Sequence, residues 1–389
     1  MPIAFCILPF AFYLLPISNR PMTDDLVYQL ALTEVPNVGL VQAKILAQHF
    51  GEAQKIFKAG QSTLEKIEGI GEVRARSIKR FADFSQAEKE IKFIEKFKIR
   101  PLFITDRQYP QRLLHCYDSP TLLFYKGTAD LNVAKVVAIV GTRSHTEYSK
   151  KITDELVQEL SAHEILIVSG MAFGVDAFAH KAAIKNNLAT VGVLAHGLDQ
   201  IYPPEHAGLA KEIMKHGGGL LTEFRSDTNP DKHNFPTRNR VVAGMSDATI
   251  VIESGIKGGS MVTAELANGY NRDVFAVPGK VTDTKSAGCN HLIKSNKAVL
   301  LTDAQQFIEM MGWEEKRQGA IGKRQKEIFI ELSKEEKLIV DILNEKQTVH
   351  IDEINLRSGL SMSTVASVIL NLELQHVVCG LPGKMYKLS

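Results

Sequence analysis

Between Asn229 and Arg240 the chain reads Asn-Pro-Asp-Lys-His-Asn-Phe-Pro-Thr-Arg-Asn-Arg, which interleaves Lys232, His233, Arg238 and Arg240 with one aromatic, Phe235. That mixture suits an unpaired nucleic-acid strand: cations track the backbone phosphates while a ring stacks on a base, worth about 1 to 3 kcal/mol per base. A duplex would hide the base face. The segment reads as a loop ahead of an apolar helix. In the competing reading Phe235 belongs to the core and the arginines are simply solvated.

Other phosphate-binding chemistry lies at similar places along the chain. Gly141-Thr-Arg143-Ser follows the apolar run 136–140, giving a glycine for close approach, a hydroxyl and a planar guanidinium suited to a phosphodiester. The alternative for Arg143 is an ion pair with a neighbouring carboxylate. Gly170 and Gly255-Ile-Lys-Gly-Gly-Ser260 follow two further apolar runs, where backbone amides can form an anion nest at a helix start.

Catalytic signatures are missing by contrast. No Gly-x-x-x-x-Gly-Lys-Ser/Thr loop, Gly-x-Gly-x-x-Gly after the first run, His-Glu-x-x-His or Gly-x-Ser-x-Gly occurs. Ser169, Asp176 and His180 can be drawn as a triad, but nothing in the sequence orients them, so Asp176 reads as a helix-start acid and Ser169 as a turn residue. Cys6, Cys116, Cys289 and Cys379 form no Cys-x-x-Cys pair, which disfavours a disulfide framework and a thiolate zinc site and favours a reducing, cytoplasmic compartment. Cys289-Asn-His291 lacks further ligands at useful spacing and reads as structural. No metal or cofactor is expected.

The elements that must position these residues are legible as period and punctuation. Residues 22–98 read as helical, broken at Pro36-Asn-Val-Gly39 and Glu68-Gly-Ile-Gly71. The repetition suggests two helix-hairpin-helix units, whose turns would bind phosphate with Arg74, Arg76, Lys79 and Arg80 nearby; glycines that merely cap a small bundle are the alternative. From 100 to 311 short apolar runs (136–140, 165–168, 190–194, 219–222, 249–252 and 274–277) alternate with amphipathic stretches, the mark of a parallel α/β sheet covered on both faces. Open sheets of this kind bind ligands at their carboxyl ends. Residues 312–331 read as a charged linker, and 332–389 as three helices and a hairpin around Pro382-Gly383, a winged helix. Its third helix, from Ser361, is almost free of basic residues, which favours protein interaction over duplex reading.

Composition bounds the rest. The 389 residues are 44% hydrophobic and 23% charged, a globular balance, and 46 Lys plus Arg against 44 Asp plus Glu require any nucleic-acid affinity to come from clustering. Pro2 to Ser18 carries no charge but is short for a membrane span and has no basic flank, so no membrane association is expected. Met22 is the expected initiator, with Thr23 as N-cap and residues 1–21 an extension.

Across 105–300 the chain resembles the DprA/Smf (DNA-processing protein A) family. The resemblance rests on Tyr109-Pro110, Val140-Gly-Thr-Arg143, Ser169-Gly-Met-Ala-Phe-Gly-Val-Asp176 with Ala179-His180, Gly197-Leu-Asp199 and Tyr202-Pro203. It continues through Phe235-Pro-Thr-Arg-Asn-Arg240 with Ala243-Gly244, Gly259-Ser260 with Thr263-Ala264, Ala276-Val-Pro-Gly279 and Gly288-Cys-Asn-His-Leu-Ile-Lys294. It implies an extended Rossmann-like domain that forms a homodimer, binds single-stranded DNA in a basic pocket without catalysis, and loads the RecA recombinase in natural transformation. Carried over by position, Arg143, Lys232, Phe235, Arg238 and Arg240 are the pocket residues. Gly141, Ser169, Gly170, Asn239, Gly259, Ser260 and Lys294 complete the candidate DNA-binding set. Two positions depart from the family pattern: Phe173, where arginine is frequent, and His206, where asparagine is usual. The competing enzyme reading notes that Gly258-Gly-Ser with Thr263 and Glu265 is similar to the phosphate loop of phosphoribohydrolases, without its glycine before threonine.

Overall fold

The computed structural model describes residues 23–314, 332–346, 348–375, 377–381 and 384–388. The expectations for residues 1–21 and for most of the 312–331 linker therefore lie outside the described residues. Two units are present, one ending at Trp313 and one beginning at Glu314.

The first unit opens with six helices: α1 (Thr23–Leu32), α2 (Leu40–Phe50), α3 (Ala53–Lys58), α4 (Gln61–Glu65), α5 (Gly71–Arg80) and α6 (Ser85–Phe97). Gly69 and Gly71 both take positive φ in the second hairpin, a conformation only glycine adopts cheaply. Three of the four cations expected there to meet phosphate bond within the module, and only Arg80 stays exposed without a partner among the described residues. Arg74 donates to the carbonyls of Asn37 and Ile70, at 3.2 Å each, and so bridges the two hairpin turns. Lys79 donates to Phe57 O, and Arg76 pairs with Glu72.

The sheet follows: β1 (Arg100–Phe103), β2 (Leu122–Gly127), β3 (Val136–Val140), α7 (Glu147–Leu160), β4 (Leu166–Ser169), α8 (Val175–Lys185), β5 (Thr190–Val193), α9 (Ala207–Lys215) and β6 (Gly219–Thr222). It continues through α10 (Asn234–Gly244), β7 (Ala248–Val251), α11 (Gly259–Gly269), β8 (Asp273–Ala276), α12 (Ala287–Lys294), β9 (Val299–Leu300) and α13 (Ala304–Met310). Strand order is β1-β2-β6-β5-β4-β3-β7-β8-β9. The Rossmann-like core is parallel as expected, but β1 and β2 are two additional antiparallel strands on its β6 edge. Only a five-residue 3-10 turn, Gln111–His115, and no α-helix separates them, so strand–helix alternation cannot signal them.

Alternation within strands sorts side chains onto two cores. On β3, Val136, Ala138 and Val140 face one core and Val137 and Ile139 the other; β8 divides Val274 and Ala276 from Phe275 likewise. The helical segment shares the first of these cores, with Leu30, Leu46, Ile56, Ile78 and Ile94 fully buried. Polar ties reinforce that contact. Lys44 donates to the carbonyls of Leu114 (2.7 Å) and Cys116 (2.6 Å), Arg225 pairs with Glu34, and buried Glu90 accepts from the Ser226 N–H at 3.1 Å.

The second unit contains α14 (Lys334–Asn344), β10 (Val349–His350), α15 (Ile351–Ser358), α16 (Met362–Leu374), β11 (Val378–Leu381) and β12 (Met385–Leu388), with sheet order β10-β12-β11. Ser333 caps α14 in a reciprocal box with Glu336, and Ser361 caps α16. Ile339, Leu343, Ile354, Val365, Ile369 and Leu372 form its core. This is the winged helix that the sequence indicates. Leu370 and Leu374 on α16 remain exposed.

Candidate nucleic-acid interface

From β3 the chain winds outward through β4, β5 and β6, and then returns to β7 on the other side of β3. Between β3 and β7 the connections diverge, leaving a crevice at the carboxyl ends, the usual ligand position in open α/β sheets. A cleft of about 500 Å³ occupies it, with walls from the loops after β3, β4 and β7 and from one face of α10.

Close packing explains the glycines. A Cβ on Gly141 would lie 2.6 Å from Val175 Cγ2, and Gly174, at φ +77°, leaves room for Thr142 O. A Cβ on Gly170 would meet the Asp176 carboxylate and the Arg238 guanidinium. Gly141 and Gly170 thus admit the start of α8 and the side chain of Arg238, a packing role that the sequence reading assigned instead to phosphate approach. On the opposite wall Gly258 is the N-cap of α11 and has no side-chain cap bond, so the first-turn N–H groups beside Gly259 and Ser260 face the cleft.

The cations occupy distinct settings. Arg143 is exposed and makes no ion pair among the described residues; its guanidinium lies over the Phe235 ring, 5.1 Å from the centroid. The carboxylate partner considered for it is not observed. Lys232 stands exposed at the rim. Arg238 is buried in the wall, donating through Nη1 to Val193 O and through Nε to Asn239 Oδ1 at 3.0 Å. Asn239 in turn donates to Gly259 O at 3.3 Å, clamping α10 to α11. Burial pushes the Asp176 carboxyl up, and nearby Arg238 opposes that shift. The cleft therefore has an exposed cationic rim at Arg143 and Lys232, a floor where Arg238 lies beside Asp176, and one half-buried ring, an arrangement whose rim attracts a polyanion.

The candidate set divides accordingly. Gly141, Arg143, Gly170, Lys232, Phe235, Arg238, Asn239, Gly259 and Ser260 line one cleft. Arg240, Ser169 and Lys294 do not. The segment 234–240 is the start of α10 and not a loop, so Phe235, Arg238, Asn239 and Val242 share one face, spaced i, i+3, i+4 and i+7, and Arg240 points elsewhere. Arg240 is buried against Glu223 and the carbonyl of Asp118. Ser169 is fully buried and donates to Ile139 O at 2.6 Å, because the strand pleat turns it into the sheet. Lys294 is exposed at the end of α12, away from the cleft walls.

The triad geometry is also excluded. His180 is buried with Nδ1 on Thr190 Oγ1 (2.7 Å) and Nε2 on Gly170 O (2.6 Å), and burial pushes its pKa down to about 4. Glu265 of the phosphoribohydrolase-like motif pairs with Lys297 at 2.7 Å and borders a different groove, so only the Gly258–Thr263 part of that motif meets the cleft. Cys289 donates to Val251 O, His291 is exposed, and no metal-binding cluster occurs among the described residues. No helix among them is long and apolar enough to cross a membrane.

Sequence reasoning quoted Tyr202 as part of a family motif but left it out of the candidate site; its ring centroid lies 6.0 Å from that of Phe235. The available signal was its position after the carboxyl end of β5. The two departures from the family pattern also prove to be neighbours: Phe173 and His206 pack edge to face at 4.9 Å.

A Rossmann-like sheet whose switch-point cleft carries unpaired cations, a ring and a free helix N-terminus, together with a helix-hairpin-helix segment and a winged helix, defines a DNA-processing class of protein. The chain belongs to the DNA recombination-mediator protein A family, also called DprA/Smf. That family's model matches residues 100–312, a DprA winged-helix model matches 330–384 and a helix-hairpin-helix motif matches 29–91. The chain is 32% identical to protein Smf of Synechocystis over 92% of its own length and 98% of that protein. It is 40% identical to DNA processing protein DprA of Streptococcus pneumoniae over 55% and 75% of the respective lengths. Among solved structures, it is similar to pneumococcal DprA (TM-score 0.62, 31% identity, 73% of this chain and 97% of that one). It is also similar to Helicobacter pylori DprA, described for its single-stranded DNA binding mode (TM-score 0.50, 33% identity, 55% and 96%).

Proposed function

We propose that the switch-point cleft binds single-stranded DNA, and that the protein is a non-catalytic recombination mediator that protects incoming strands and helps load RecA onto them in the cytoplasm. The observation that carries this reading is the pairing of Arg143 with Phe235 in the cleft, beside Lys232, with no salt bridge to the arginine among the described residues. Phosphate has a cation and helix N–H groups to meet; a base has a ring. The similarity to a DprA described for single-stranded DNA binding supports the same ligand. A binding role accords with the state of the candidate catalytic groups, since Ser169 and His180 are committed to buried bonds and Glu265 is turned away. Homodimerisation follows from the family resemblance, and the exposed leucines of α16 and its lack of basic residues favour a protein partner for the winged helix.

The test is fluorescence anisotropy of equal-length single-stranded and duplex oligonucleotides across a salt series, with Arg143→Ala and Lys232→Ala alongside. Salt-dependent preference for the single strand, weakened in both variants, is expected. Equal affinity for duplex, or binding indifferent to both substitutions, would refute the assignment. Co-elution with RecA on single-stranded DNA tests the mediator role.

A further inference from the structure

Next to the cleft lies a second, smaller hollow of about 50 Å³ with different chemistry. Phe173, Tyr202, Pro203 and Phe235 wall it, and it shares Arg143 and Arg238 with the main cleft. Phe173 and Tyr202 are each 46% exposed, which leaves two ring faces bare beside a cationic site. Both are held from behind. The Tyr202 N–H donates to His196 Nε2 at 3.2 Å, and His196 Nδ1 donates to Gly197 O at 2.8 Å. His206, bonded through Nδ1 to Met171 O at 2.8 Å, backs the Phe173 ring.

The hollow is walled mainly by rings, and apart from Arg143 at its boundary the Tyr202 hydroxyl and Arg238 Nη2 are its few side-chain polar groups without a partner among the described residues. His196 has spent both nitrogens, and Arg238 has spent Nη1 and Nε on Val193 and Asn239. Arg143, at the boundary between the hollows, is the exposed charge. An occupant spanning that boundary must be anionic at one end and planar and aromatic at the other, which is the chemistry of a nucleotide. A paired base cannot present its face in this way.

We propose that the hollow is a nucleobase subsite: the phosphate of one nucleotide rests on Arg143, and its unpaired base covers Phe173 and Tyr202 with one edge entering towards Phe235. The proposal rests on the single-stranded DNA reading of the main cleft. Because ring faces supply most of the wall, with the Tyr202 hydroxyl and Arg238 Nη2 its few uncommitted polar groups, recognition there depends mainly on stacking and only weakly on base identity. The affinity that it adds is insensitive to salt, unlike the phosphate contacts.

The test compares the full chain's affinity for a labelled oligothymidylate and for an equal-length abasic deoxyribose-phosphate strand, for the native protein and for Phe173→Leu combined with Tyr202→Leu. The native protein is expected to prefer the base-bearing strand, and the double variant to lose about tenfold of that preference. Its affinity for the abasic strand and its salt slope should be unchanged. Phe173→Tyr keeps the ring and should keep the preference. A double variant that retains the full preference overturns the subsite. Equal native affinity for the two strands overturns it too, while leaving the DNA reading intact; native binding to neither strand overturns that reading and the subsite with it. Should the double variant fold poorly, 2-aminopurine in a strand bound to the native protein decides: quenched emission on binding supports the stacked base, and unquenched emission refutes it.

Discussion

Replacing Arg240 separates stability from binding, because the structure moves this arginine out of the cleft and into the core. Its side chain is 7% exposed and that of its partner Glu223 is 10% exposed. The pair is under-satisfied, since Glu223 Oε1 and Arg240 Nε have no partners among the described residues. Burial already raises the Glu223 pKa, and Arg240 is the main opposing influence. Arg240→Ala therefore leaves a buried carboxylate uncompensated, a defect worth about 3 to 5 kcal/mol. At about 2 °C per kcal/mol, appropriate to a unit of this size, the midpoint of thermal unfolding should fall by about 6 to 10 °C. The single tryptophan, Trp313, packs on Phe307 at 5.6 Å within the first unit, so its fluorescence follows that unit. Arg240→Met with Glu223→Met, which removes both charges and refills the space, should recover most of the loss. DNA affinity of the folded Arg240→Ala protein should match the native value. An unchanged midpoint together with lost binding would refute this placement and return Arg240 to the pocket.

Arg143→Ala and Lys232→Ala should leave that midpoint unchanged, and each should reduce the slope of log affinity against log salt for single strands by about 0.7. Gly170→Ala forces a methyl group against Asp176 and Arg238, so a loss of about 1 to 3 kcal/mol in unfolding experiments and weaker DNA binding are expected together. His180 is held neutral in the fold, with its pKa pushed down to about 4 from an ordinary value near 6.5; its contribution is present above about pH 6.5 and lost as pH falls towards 4, about 3 kcal/mol in all. The carboxyls of Asp176 and Glu223 are raised by burial and act in the opposite sense, so the difference between native and His180→Asn stability curves isolates the histidine.

Six of the parallel strands, β3 to β8, are legible in the sequence because burial on both faces leaves each a short apolar run; the parallel edge strand β9, two exposed residues, is not. β1 and β2 are not legible either, since the antiparallel edge has no intervening α-helix to announce it. The start of α10 was hidden by Pro236, which reads as a breaker. It stands in the first helical turn, where the N–H it lacks would have no intrahelical partner anyway. Once that turn is helical, residues 238 and 240 stand about 200° apart, and two arginines that look equivalent in a loop take opposite fates, one in the cleft wall and one in the core. No pattern of residue types distinguishes them without the helix.

Which loops meet is a matter of strand order, and strand order is not written in local sequence. The segments after β3, β4 and β7 form one cleft because β3 lies between β4 and β7; an order running straight through β3-β4-β5-β6-β7 would place the Gly255–Ser260 segment several strands from Arg143. The same geometry favours binding over the enzyme reading of α11. Its first turn, Gly259 to Thr263, borders the cleft, but Glu265 lies further along the helix and is drawn outward by Lys297. A loop that can hold a phosphate is thus present without the carboxylate that would complete the motif, and the neighbouring walls supply rings and guanidinium groups instead. On the proposed reading, phosphate holding beside an aromatic surface, with the Asp176 carboxyl buried and raised in pKa, suits a site that retains a strand without cutting it.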